Sequence, residues 1–284
     1  MKSGDVINPE TWLALAPGLH IGEDAARQAV RAFRPSNSQV ADLDGRLRDD
    51  GYFQLAHDFG LDLAVMADTV RRFTAAGIPP VFGFLFDEFW APFHALDAMY
   101  GGLLGPYGFL PDFWVWNVDP ASAEAGWRPH RDRGHIALRG DGGPVSLTTW
   151  IPLSDATPLN SCMYVLPAHA DPTYGTSRDN EYHVELPAIR ALPAKPGEIL
   201  VWNQAVLHWG SRSSPRAAES RISMAFEFQA SDSKPFNTPI LPPDKPVPFD
   251  LRLRLIAKQV LQYRHLYKLD PRIEQIAVEL AGQL

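Results

Sequence analysis

Between residues 113 and 229 the spacing of apolar side chains changes from helical to alternating, and this change restricts the possible folds more than any other feature. Residues 113–118, 145–153, 162–166, 198–203 and 221–229 are short runs rich in β-branched, aromatic and aliphatic residues, separated by Gly, Pro, Asp and Asn. Such runs fit a pleated, half-buried surface, and several of them in succession predict a sandwich or barrel. The last run has two faces that differ in kind. Ile222, Met224, Phe226 and Phe228 form an apolar face suited to packing on helices, while Arg221, Ser223, Ala225 and Glu227 face a polar cavity or solvent.

The flanking segments read as helical. Residues 23–33 stop at Pro35; Leu61, Met66, Val70 and Phe73 mark a helix that ends near Gly77; Phe86, Phe89, Trp90, Phe93, Leu96 and Tyr100 mark a third, with Pro92 awkwardly inside it. Beyond residue 229, the prolines of segment 234–248 impose an extended arm, Asp250 is the expected N-cap of a helix carrying Leu253, Ile256, Val260 and Tyr263, and a last helix follows Pro271. The C-terminal helices either cover a sheet face, the better reading, or build a homo-oligomer contact. The expectation is one domain over residues 1–284, mainly β with helical additions: a helical cover (1–112), a β core (113–229) and a Pro-rich arm with C-terminal helices (230–284).

A formal charge of −7 gives no electrostatic footprint for nucleic acid or an anionic membrane. A lone cysteine, Cys162, excludes an intrachain disulfide and a cysteine-based zinc cluster. The first residues lack the apolar core of a signal peptide, and no apolar run is long enough to span a bilayer, so a soluble cytoplasmic protein is expected.

Within the β region, His130 and Asp132 stand two residues apart. On an extended backbone both side chains project to one face, where an imidazole and a carboxylate can bind one ion. His208, just after the run that ends Trp202-Asn203, is the best third ligand. Two histidines and a carboxylate on one side of an ion suit non-haem Fe(II) and leave positions open for other ligands. The competing reading makes His208 a hydrogen-bonded core histidine and His130-Asp132 a loop ion pair. Arg221, 13 residues further on, shares its strand face with Ser223. A guanidinium fork grips a carboxylate bidentately and a nearby hydroxyl adds a hydrogen bond, so an anionic co-substrate could be anchored there while its other end reaches the metal.

His130-x-Asp132, the distant His208 and Arg221-x-Ser223 together resemble the iron(II)- and 2-oxoglutarate-dependent oxygenases. Thr148 to Pro158, Asn160 to His169 and Lys195-Pro196-Gly197-Glu198 are similar to the phytanoyl-CoA dioxygenase-like branch, as is, more faintly, Leu47-Arg48-Asp49-Asp50-Gly51-Tyr52-Phe53. The chain departs from that branch in lacking its Pro-Gly-Ser-His-like turn and in having Ser161 where Gly is common. The resemblance implies a double-stranded β-helix, a jelly-roll or cupin-like barrel with N- and C-terminal helices. It implies iron on His130, Asp132 and His208, and Arg221 and Ser223 on the distal carboxylate of 2-oxoglutarate, with Asn117 bonding the co-substrate near the metal. O₂ is the second co-substrate, succinate and CO₂ are products, and a small-molecule substrate is oxidised. Halogenating relatives have lost the carboxylate ligand; Asp132 is present, so hydroxylation of an unactivated C–H bond is expected ahead of desaturation or ring chemistry.

His135, Trp127 and Trp150 are candidate substrate contacts. Arg131 should point away from the ligands, while Arg128 and Arg133 could attract an anionic substrate. Two other classes compete: a cupin-like metal-dependent isomerase or hydrolase, for which the His-x-His and later Glu are missing, and a non-catalytic small-molecule-binding barrel.

Overall fold

The computed structural model describes residues 6–22, 25–265 and 270–284. Its centre is a pair of antiparallel sheets. The larger has the order β1 (Tyr52–Ala56), β6 (Glu198–Asn203), β3 (Ser146–Pro152), β8 (Arg221–Ala230), β2 (Tyr107–Val118). The smaller has β5 (Arg190–Leu192), β4 (Met163–Leu166) and β7 (Leu207–Gly210). A backbone bridge between His130 and His208, with each N–H donating to the other's carbonyl at 3.0 Å, extends the smaller sheet by one position.

The helical expectation is met with corrected bounds. The segment expected at 23–33 is helical only over α2 (Ala25–Ala29), residues 23 and 24 lying outside the described ones; α1 (Pro9–Leu15) precedes it and α3 (Asn37–Asp49), with a Ser36–Gln39 capping box, follows. The second helix is α4 (Leu63–Ala75), whose first amides are capped by Asp62. The third splits into α5 (Asp87–Ala95) and α6 (Asp97–Leu104), and Pro92 sits inside α5. The C-terminal pair is α7 (Phe249–Tyr263) and α8 (Pro271–Ala281). Asp250 does not cap α7: Pro248 holds that position, and Asp250 lies in the first turn, where its carboxylate pairs with Arg254 at 2.5 Å.

The expected "mainly β" balance is corrected as well. Among the described residues the α-helices contain more residues than the strands, so the chain is a mixed helical and β protein around a jelly-roll-like centre. The reason lies in the larger sheet: its outer face is covered by helices from both ends of the chain. Ile222, Met224, Phe226 and Phe228 of β8 pack there with Phe84, Phe89 and Phe93 from one end and Leu253, Ile256 and Val260 from the other, in one apolar cluster. The C-terminal helices are therefore used as cover within the chain.

Candidate active site

The other face of the larger sheet is the floor of a cavity lined by His130, Asp132, His208 and Arg221 together with several aromatic rings. His130 and Asp132 come from an irregular segment rather than a strand; the backbone bridge to β7 holds His130 and thereby sets its ring beside that of His208, 4.4 Å between centroids. The expected convergence occurs. Asp132 Oδ1 lies 3.4 Å from His130 Nε2 and 3.5 Å from His208 Nε2, and one ligand atom from each of the three residues falls within 4.8 Å of the others.

Each member is oriented by its remaining atoms. His130 Nδ1 meets the Arg128 carbonyl at 2.7 Å and His208 Nδ1 meets the Val206 carbonyl at 3.2 Å. A carbonyl only accepts, so both Nδ1 atoms carry the proton and both Nε2 lone pairs point to the common centre. His130 Nε2 is buried without a hydrogen-bond partner. An orphaned buried acceptor beside a second imidazole and a carboxylate oxygen is what a divalent cation satisfies, so these residues fit a bound iron ion. Burial is the largest influence on all three groups. It pushes His208 down to about 4 despite the opposing charge of Asp132. In His130 it is outweighed by the nearby carboxylate of Asp132, which leaves that imidazole raised. Asp132 is held far below the usual carboxylate range, because the neighbouring imidazoles and Thr148 overcome the burial penalty.

Arg221 opens β8 and is 1% exposed. Its Nη1 donates to Ser223 Oγ at 2.5 Å and its Nη2 to Ser161 Oγ at 3.4 Å, and the guanidinium lies 5.6 Å from the Trp150 ring centre. Ser161 has φ +75, a left-handed backbone that favours glycine, and this residue uses the strained position to present a hydroxyl to Arg221. Gly126 and Gly210 pass beneath: a Cβ on Gly126 would come within 2.7 Å of Gly210 Cα and 3.1 Å of Arg221 Nη2.

Not every candidate arrives. Asn117 is on the outer face of β2, where its amide donates to Thr74 Oγ1 of α4 at 3.1 Å; its neighbours Trp114 and Trp116 line the cavity instead. Trp127 and Trp150 are in the lining. His135 is turned away, its Nδ1 2.8 Å from Asp179 Oδ2. Arg131 points away as expected, into a buried pair with Asp171 at 2.7 Å. Arg133 is tied to Asp112 and Glu227 at 2.9 and 3.0 Å. Burial, reinforced by the charge of Asp112, drives Glu227 well above its ordinary value. Cys162 is buried and pushed up to about 11 by that burial, which is the opposite of an activated thiol.

Sequence reading missed Thr148, Trp202 and Tyr263. Thr148 and Trp202 stand opposite each other on β3 and β6, and Tyr263 reaches the cavity from α7, its ring 4.8 Å from Trp127 and 5.0 Å from Trp114. Only the alternation of the two strands could have placed Thr148 and Trp202 on the inner face.

Residues 103–219 match the phytanoyl-CoA dioxygenase (PhyH) family. The centre of this chain is phytanoyl-CoA dioxygenase-like. Among solved structures, this chain is similar to a non-heme monooxygenase, the ThoJ–Ni complex, with 19% identity and a TM-score of 0.55 over 83% of this chain and 100% of that one. The non-heme alpha ketoglutarate dependent epimerase SnoN from nogalamycin biosynthesis shares 18% identity, with a TM-score of 0.51 over 69% of this chain and 82% of its own. EctD from S. alaskensis, solved with bound Fe, shares 16% at a TM-score of 0.50 over 78% and 87%. At these identities the likeness shows a common fold. No match is found among curated proteins. No helix among the described residues is long and apolar enough to cross a membrane.

Proposed function

We propose that this protein is an iron(II)- and 2-oxoglutarate-dependent dioxygenase that hydroxylates an unactivated C–H bond of a small molecule. The observation that supports this most is the presence of two separate binding elements in one cavity: the centre made by His130 Nε2, Asp132 Oδ1 and His208 Nε2, and the buried Arg221 guanidinium. A cupin-like isomerase or hydrolase has a use for the first and none for the second.

When bound, iron(II), 2-oxoglutarate and O₂ supply the oxidant for C–H hydroxylation, with succinate and CO₂ released. The chain's own residues do the rest. His130, Asp132 and His208 would hold the ion through three ligand atoms and leave its remaining positions to other ligands. Arg221, steadied by Ser223, Ser161 and the Trp150 ring, takes the distal carboxylate in the geometry of a charge-assisted pair. Trp114, Trp116, Trp127 and Tyr263 form an apolar wall that limits water around the reacting carbon and contacts the substrate.

The test is anaerobic addition of Fe(II) and 2-oxoglutarate, read by the weak visible metal-to-ligand charge-transfer band. The band forms with wild type and, at limiting 2-oxoglutarate, is lost in Arg221→Ala, which is expected to bind the keto acid at least about 10-fold more weakly. A wild type without a band, or an Arg221→Ala protein with an undiminished one, rejects the assignment. Oxygen-dependent succinate formation separates an enzyme from a binding barrel.

A further inference from the structure

Asp132 is held by more than its place in the chain. Oδ1 faces both imidazoles, while Oδ2 accepts the Thr148 hydroxyl at 2.7 Å and the Trp202 indole N–H at 2.9 Å. Thr148 and Trp202 are directly opposite each other on β3 and β6, so the two donors rise from the sheet floor at a spacing fixed by the ladder. Gln204 sets the direction of the Thr148 hydroxyl. Its side-chain Nε2 donates to Thr148 Oγ1 at 3.1 Å, which leaves the Thr148 hydrogen for Asp132. Because the Asp132 carboxylate can only accept, the Thr148 hydrogen is committed to it and the Gln204 group facing Thr148 is the N–H; this assigns the amide orientation and leaves Gln204 Oε1 to accept from Ser146 Oγ at 2.6 Å. Gln204 and Ser146 are both fully buried, so water does not compete for these bonds.

We propose that Thr148 and Trp202 are positioning residues that, with Gln204, clamp Asp132 as a one-oxygen metal ligand. This rests on the iron-centre reading above. A carboxylate that could turn would bring Oδ2 onto the metal as well and consume a position that the keto acid or O₂ requires. Here both donors would have to be given up first. The clamp therefore aims Oδ1 at the ion and withholds Oδ2 from it.

The experiment uses metal-free protein titrated anaerobically with Co(II), followed by its visible absorption. Thr148→Val keeps the shape and removes the donor; Thr148→Ser removes the methyl and keeps the donor. Thr148→Val and Trp202→Phe are each expected to weaken Co(II) binding by about 10-fold or more and to change the intensity of the cobalt bands. Thr148→Ser should stay within about twofold of wild type. Thermal unfolding of each metal-free variant identifies a general loss of structure, which would move Val and Ser together. If Val and Ser variants bind alike, or if the Val and Phe variants match wild type in affinity and spectrum, the clamp is rejected while the iron centre stands. If wild type itself gives no cobalt spectrum, the iron-centre reading fails and takes the clamp with it.

Discussion

Gly126 and Gly210 show how closely single residues are fitted at this site. Their backbones touch below Arg221, and each lacks the one atom that would push the other away: a Cβ on Gly210 would lie 2.6 Å from Gly126 Cα and 3.1 Å from Ser161 Oγ. Backbone cannot yield as a flexible side chain can, so Gly126→Ala should destabilise the fold by about 1–3 kcal/mol through overpacking. It should also weaken 2-oxoglutarate binding more than iron binding, since the displaced group is Arg221 and not the triad. Urea unfolding and the charge-transfer titration check the two parts separately. At this scale much was legible. His130, Asp132, His208, Arg221 and Ser223 could be singled out because the role proposed for each is visible in its type and spacing, and the first four line one cavity. Asn117 was misplaced because residues 113–118 are bulky on both faces, so the sequence carries no sign of which parity points inward.

Elements rather than residues decide how the cover is tied to the side that carries His208. The turn from α3 to β1 passes through Gly51 at φ +83, and a Cβ there would stand 2.7 Å from Val206 Cγ2. The same turn accepts the Asn203 amide at 2.9 Å, and the Val206 carbonyl is the acceptor that fixes the His208 tautomer. A substitution Gly51→Ala adds left-handed strain of about 1–2 kcal/mol and a steric push on Val206, so a loss of roughly 2–4 kcal/mol is expected in urea unfolding. Weaker metal binding, seen by Co(II) titration, should accompany it through His208. The faint similarity around Gly51 thus has a physical reason that the sequence did not reveal. Strand β1 was hidden inside a helical region, and β5 and β7, of three and four residues, were not read. The strands at 145–153, 198–203 and 221–229 were found nearly to the residue because their alternation is long and bounded by turn residues.

The whole molecule is closed by a junction where the N-terminal cover, the sheet and the C-terminal arm meet around His94. Its ring lies 5.1 Å from Phe109 of β2, and the small cavity beside it is lined by Arg27, Asp87, Pro246 and Arg252. Burial, helped by the charge of Arg27, pushes His94 down to about 4. The folded state thus binds this proton less readily than the unfolded chain, whose histidine titrates near about 6.5. The stabilisation is complete above the unfolded value and is lost as pH falls toward the folded one. From about pH 7.5 to about pH 5 the loss is on the order of 2 kcal/mol. His94→Leu should flatten that slope in urea unfolding, and parallel pH profiles for the two proteins would remove His94 as its source. By itself the sequence determined the alternating centre, the helical flanks and the residue types of the proposed ligand set, because periodicity and side-chain type are local properties of the chain. The tertiary structure alone decided the balance of helix and strand, the inward parity of β2, the pairing of Arg133 with Asp112 and Glu227, and the two donors on Asp132. Those contacts join residues 16 to 94 positions apart, and their geometry exists only once the strands are in register.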